Sequence, residues 1–199
     1  MLYTKHNFEV AEFCAKPGVR PELGGILVVP DKTVATDSFT LVEVTVPTDI
    51  PFEDFPVVPS CSVSKNGDRF IFPKDAAKLV LRSIPKKASL PVLERAATLQ
   101  TENGTAGFVT TDLEKHTPVA ARVIDGQYPA YEQLFEGKGE PRSTVRLNAE
   151  YLEKLAKFFK GFGNGYVTLK TYGEFDAILF ESVTAEPQKA RALLMPLKN

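Results

Sequence analysis

Val34-Ala35-Thr36-Asp37 recurs, with one residue changed, as Val109-Thr110-Thr111-Asp112. This echo sets the organisation of the chain. Around the first copy, Ile26–Val29, Thr33–Thr36 and Thr40–Val46 are β-branched runs split by Pro30-Asp31-Lys32 and Asp37-Ser38, which predicts three strands. Upstream, Leu2–His6 predicts a strand. Phe8–Lys16 predicts a short, weakly patterned helix stopped by Pro17-Gly18. Around the second copy the same order returns. Arg69–Phe72 predicts a strand, and Lys74–Ile84 a helix with Ala76, Leu79, Val80 and Ser83 on one face, ended by Pro85. Strands follow at Val92–Gln100, Thr105–Thr110 and Pro118–Ile124, with Glu102-Asn103-Gly104 as a hairpin turn.

A third unit runs from Ser143 to Asn199. Thr144–Leu147 predicts a strand, and Asn148 an N-cap for a helix over Ala149–Phe162 ended by Gly161 and Gly163. Tyr166–Thr171, Ala177–Glu181 and Lys189–Leu197 then predict strands. The Pro- and acid-rich Thr48–Asp68, ending Ser64-Lys65-Asn66-Gly67-Asp68, and Gly126–Arg142, with its Gly137-Lys138-Gly139, read as connectors. A β-α-β-β-β unit cannot bury both faces of its small sheet alone. Repeats of it therefore pair, and free strand edges invite association.

Composition is that of an ordinary globular protein, 43% hydrophobic and 25% charged. A net charge of −1 argues against coating nucleic acid through overall charge, though not against a basic stripe on one face. Cys14 and Cys61 are too few and too far apart for a disulfide framework or a zinc site. No apolar run approaches a membrane span, and the N-terminus does not read as a signal peptide, so a cytoplasmic protein without membrane association is expected. His6 and His116 lack metal-ligand spacing, and neither a P-loop nor a G-x-G-x-x-G is present. The expectation is a protein that is not an enzyme and uses no cofactor or metal.

Several segments together resemble the β subunit of bacterial DNA polymerase III, the sliding clamp. Gly24-Gly25-Ile26-Leu27 with Thr33-Val34-Ala35-Thr36-Asp37-Ser38-Phe39-Thr40-Leu41 is similar to the first half of that family's middle domain. Phe70-Ile71-Phe72-Pro73-Lys74 resembles its second half. Ile124-Asp125-Gly126-Gln127-Tyr128-Pro129-Ala130-Tyr131 is similar to the segment joining the middle and last domains. Leu194-Met195-Pro196-Leu197-Lys198 resembles the closing strand. The resemblance implies an α+β DNA-clamp fold, with helices on one face of antiparallel sheets.

A bacterial clamp chain has six such units and this one about three. The expected division is residues 1–125 as a clamp-like domain of two units, 126–142 as connector and 143–199 as half a domain. The alternative takes Arg69 to Asn199 as the full domain, since Leu90–Val123 also resembles the start of the family's N-terminal domain.

What the resemblance implies for function is a processivity factor for DNA replication. Such a protein encircles double-stranded DNA as a homo-oligomer and tethers DNA polymerase or other proteins bearing clamp-binding motifs. Known rings contain twelve units, which four of these chains would supply, two half-domains pairing about a two-fold axis in each dimer. Ring proteins touch phosphates without reading bases, through Lys and Arg on inner helices. The candidates are Lys74, Lys78, Arg82, Lys86 and Lys87, and on the third helix Lys154, Lys157 and Lys160. Glu9 and Glu12 make the first helix a poor DNA surface.

For a partner's peptide, the matching pocket positions are Thr36, Ser38, Phe39, Thr40 and Leu41; Pro129, Tyr131 and Leu134; and Leu194, Met195, Pro196 and Leu197. The family often has a basic residue where Thr40 stands. Two other readings remain open: a peptide-binding module that does not encircle DNA, and a structural protein that keeps only the fold.

Overall fold

Thr4 ends the first strand and opens the first helix. Strand β1 (Leu2–Thr4) gives way to helix α1 (Lys5–Glu9) because Thr4 N–H and Thr4 Oγ1 both donate to Asn7 Oδ1, at 2.9 and 3.0 Å. A 3-10 turn, Val10–Phe13, continues it. The strand expected over Leu2–His6 and the helix expected over Phe8–Lys16 are corrected accordingly.

The computed structural model describes all residues except 17, 19, 60, 66, 67, 101, 102, 136–140, 142, 162, 163, 185–187, 198 and 199. The readings placed on Pro17, Asn66-Gly67, Glu102, Gly137-Lys138-Gly139, Phe162, Gly163 and Lys198 lie outside the described residues. The chain divides into two compact units, Met1–Ala130 and Tyr131–Asn199.

In the first unit, the 3-10 turn Pro21–Gly24 leads into an antiparallel meander, β2 (Gly25–Val29), β3 (Lys32–Thr36) and β4 (Leu41–Thr45). Then come β5 (Phe70–Pro73), helix α2 (Lys74–Ser83), a second Pro-led 3-10 turn (Pro91–Glu94) and a second meander. Its strands are β6 (Arg95–Thr98), β7 (Thr105–Thr111) and β8 (His116–Arg122). The strand expected to begin at Val92 begins at Arg95, because Pro91 starts a turn there. The last strand starts at His116 rather than Pro118. Pro118, which cannot donate to a ladder, is tolerated because β8 is an outer strand.

The two repeats exchange their first strands. The sheets run β1-β6-β7-β8 and β4-β3-β2-β5, so β1 pairs with the second meander (Tyr3 opposite Ala96) and β5 with the first (Ile26 opposite Phe72). The second repeat also closes on its own first strand, where Ile124 N–H donates to Ile71 O at 2.9 Å.

Helices and inner sheet faces enclose one apolar core. Phe108 lies at its centre, with the rings of Tyr3, Phe8 and Phe72 set edge-on around it at 4.9 to 5.3 Å. A smaller cluster forms where Phe55 and Val58 of the long connector cover Val92, Leu93, Ala97 and Val109.

At Gly25, β2 leaves no room for a side chain against β5. A Cβ there would meet Phe72 O at 2.5 Å and the Ile124 and Ile71 side chains at 2.9 Å, whereas at Gly24 it would meet nothing within 4 Å. Gly25→Ala is expected to cost about 1–3 kcal/mol by overpacking a backbone contact. Gly24→Ala should leave stability within about 0.5 kcal/mol. Paired urea denaturation curves check both, and equal midpoints for the two variants would contradict the assignment.

In the second unit, a short helix α3 (Glu132–Phe135) precedes α4 (Ala149–Phe159). Asn148 caps α4, its Oδ1 accepting from Glu150 N–H at 2.8 Å. A three-stranded sheet follows, β9 (Tyr166–Lys170), β10 (Ile178–Val183) and β11 (Arg191–Leu194), in the order β11-β10-β9. Phe159, Ile178, Phe180, Ala190 and Leu194 form its core. Thr144–Leu147, expected as a strand, is not one among the described residues. Leu197 N–H, beyond β11, donates to Arg146 O in this segment at 2.8 Å.

Candidate partner and DNA surfaces

The echo of residues 34–37 in residues 109–112 is a repeated turn. In the first copy, Asp37 Oδ1 accepts from Phe39 N–H (2.9 Å), Thr40 N–H (2.7 Å) and Thr40 Oγ1 (2.9 Å). Thr36 Oγ1 donates to Thr40 O at 2.6 Å and accepts from Ser38 N–H at 3.1 Å. In the second copy, Asp112 Oδ1 accepts from Glu114 and Lys115 N–H at 3.0 and 2.7 Å. Thr111 Oγ1 donates to Lys115 O at 2.9 Å and accepts from Leu113 N–H at 3.0 Å.

Ser38 and Leu113, at equivalent places, share a φ of 78°. An L side chain rarely adopts that conformation, and here the Thr-Asp pair holds it. Both carboxyls sit below the usual aspartate range, Asp37 chiefly because Thr40 N–H donates to it and Asp112 chiefly because Lys115 N–H does.

The first turn presents Phe39 to solvent at 94% exposure. Thr36, Ser38, Phe39, Thr40, Leu41 and Pro129 all belong to the first unit. Tyr131, Leu134, Leu194, Met195, Pro196 and Leu197 belong to the second. There, Tyr131 is buried and its carbonyl accepts from Leu134 N–H at 2.8 Å. Leu194 is core, while Leu134, Met195 and Leu197 are exposed. Leu197 borders a cleft of about 60 Å³ with Thr144, Arg146, Glu174 and Phe175. The sequence reading did not single out the Asp37 carboxylate. Its signal was the T-D pair repeated at equivalent sites.

The basic candidates divide by engagement. Lys74 Nζ donates to Cys14 O at 3.0 Å, and Lys78 pairs with Glu12 at 2.9 Å, which holds the Glu12 carboxyl below its ordinary value. Lys157 pairs with Glu153 at 2.7 Å, and Lys154 lies 5.4 Å from the centre of the Tyr151 ring. Arg82, Lys86, Lys87 and Lys160 are exposed and make no ion pair among the described residues. No group of three His, Cys, Asp or Glu among the described residues is placed to hold a metal, and no described helix is long and apolar enough to cross a membrane.

No protein-family model matches the sequence, and no curated protein sequence matches it. Solved structures do. The β subunit from DNA polymerase of Streptococcus pyogenes matches with a TM-score of 0.70 at 16% identity, over 100% of this chain and 50% of that one. The DNA polymerase sliding clamp from Bacillus subtilis matches with a TM-score of 0.66 at 16% identity, over 98% and 48%. The Helicobacter pylori beta clamp bound to DNA ligase peptide matches with a TM-score of 0.65 at 18% identity, over 98% and 49%. The chain thus has the DNA polymerase sliding-clamp fold and spans about half the length of the clamp chains it matches.

Proposed function

We propose that this chain is a non-catalytic, clamp-like processivity factor. As a homo-oligomer, with four chains making a ring, it encircles double-stranded DNA without reading sequence and tethers a DNA polymerase or other proteins with clamp-binding motifs. The observation that carries the reading is the likeness of the whole chain to sliding clamps. Domain limits of 1–125 and 143–199, joined by 126–142, belong to the same proposal.

Charge narrows the DNA surface. Of the eight basic candidates, Arg82, Lys86, Lys87 and Lys160 keep their charge for phosphates, whereas Lys78 is partly neutralised by Glu12. Contact through so few cations is weak and salt-sensitive. Retention on DNA therefore has to come from topology rather than affinity. The peptide surface is assigned to the Thr36–Leu41 turn, Pro129, Tyr131 and Leu134, and the Leu194–Leu197 segment. Support comes from exposed Phe39 and Met195 and from the peptide held by the Helicobacter pylori clamp.

The test is co-elution with nicked circular plasmid in high salt, before and after linearisation, alongside fluorescence anisotropy with a labelled clamp-binding-motif peptide. The expected result is salt-resistant retention on circles that is lost on cutting, together with peptide binding. Equal, salt-sensitive binding to circular and linear DNA would overturn encirclement. Peptide binding without retention would assign the alternative role, a peptide-binding module that does not encircle DNA.

A further inference from the structure

The third repeat is built like the second but is not covered like it. Thr144–Leu147 stands to its own repeat as β5 stands to the second: Leu197 N–H donates to Arg146 O as Ile124 N–H donates to Ile71 O. Strand β5 goes on to pair with the other repeat's β2, and β1 with β6. Among the described residues Thr144–Leu147 has no such strand to join, and β9, which occupies the place of β2 and β6, pairs on one side only.

Burial registers the missing neighbour. Residues of β2 and β6 are almost all buried, whereas β9 is largely exposed. Leu169 sits opposite Phe180, a core residue, and so faces the core side of the sheet. It is nevertheless 52% exposed. The helices repeat the contrast. In α2 the inward positions Ala76, Ala77 and Val80 are buried, and α2 packs against α1. The corresponding positions of α4 hold Tyr151, Leu152 and Leu155, of which Tyr151 is 52% and Leu152 38% exposed.

We infer that this face is the docking site for the same face of a second copy of this chain. The two third repeats exchange their Thr144–Leu147 segments onto each other's β9 about a two-fold axis, rebuilding the architecture of Met1–Ala130 between two chains. What selects a second copy is that the first unit shows this repeat type completing itself with another of its kind, β5 on β2 and β1 on β6. A two-fold contact between identical faces lets each chain both give and receive such a strand. The register that keeps apolar residues on the core side places Leu147 opposite Val167 and Val145 opposite Leu169, with Val145, Leu147 and Val167 already packed on the core of their own unit.

This pairing supplies the oligomer that encirclement requires, and it is tested without DNA so that the two can fail separately. Sedimentation equilibrium over a dilution series reads the mass, and hydrogen exchange reads the Tyr166–Lys170 amides. The expected result is reversible association toward twice 21.9 kDa, with β9 amides protected only as the dimer forms. Leu169→Lys and Leu152→Glu, both at exposed positions, each weaken the dimer by about tenfold or more, with an unchanged circular dichroism spectrum. A single-chain mass at every concentration overturns the inference, as does a dimer whose β9 amides exchange at the monomer's rate. Protection of β9 that arises only on adding a full-length sliding clamp overturns self-pairing and gives the face to another protein.

Discussion

Phe108→Ala is expected to destabilise the first unit by about 3–5 kcal/mol, a large part of the stability of a domain this size. Phe108 is fully buried and meets the rings of Tyr3, Phe8, Phe70 and Phe72 within 6.2 Å. These rings come from β1, α1 and β5, so truncation opens a void between exchanged strands and helix, where neither sheet can relax alone. Chemical denaturation followed by tyrosine fluorescence and far-UV circular dichroism measures the loss. A change below about 1 kcal/mol would mean that the site collapses freely, contrary to the packing described.

Asn7→Leu is the second large effect, expected at no less than about 2 kcal/mol. The residue is fully buried at the meeting of α1 with the first meander. Its amide donates to Thr33 Oγ1 at 3.2 Å, Val44 O at 3.1 Å and Thr45 O at 3.2 Å, while its carbonyl oxygen closes the helix cap at Thr4. Leucine has similar bulk but makes none of these bonds. Each buried polar group left without a partner costs about 1–3 kcal/mol. Val10→Ala serves as a comparison that removes buried bulk and no hydrogen bond; its neighbour α1 should keep its cap. Amide exchange at Thr4 separates the cases, rising in Asn7→Leu and staying unchanged in Val10→Ala.

Repetition was the most legible property of this chain. The Thr-Asp pairs at Thr36-Asp37 and Thr111-Asp112 form the same hydrogen-bonded turn because each motif carries its own bonding partners within four residues. Local chemistry of this kind can be read from a short window. Strand exchange cannot. Leu2–Thr4 and Phe70–Pro73 are three and four residues long, and alternation shows which side chains turn inward but not which strand lies alongside.

The same limit explains Thr144–Leu147. Its pattern is that of a strand, but a strand also needs a neighbour. The helix start at Lys5 was hidden because its cap depends on Asn7, a polar residue on an otherwise apolar face. Charge was legible as composition but not as engagement, since Lys78 finds Glu12 from a distant part of the sequence. The pocket positions came from the resemblance, and the chain distributes them over two compact units.

The exchanged strands also impose an order in time. Leu2–Thr4 is made well before its ladder partners, Arg95–Ala97. All the residues between them must emerge before β1 has an edge to join. Until then Tyr3 and Phe8 have no Phe108 to pack against. The first repeat therefore cannot complete its sheet ahead of the second, and the exchanged strands tie the two into one cooperative unit. During synthesis, the open edges of the first meander are the surfaces most in need of protection from other nascent chains.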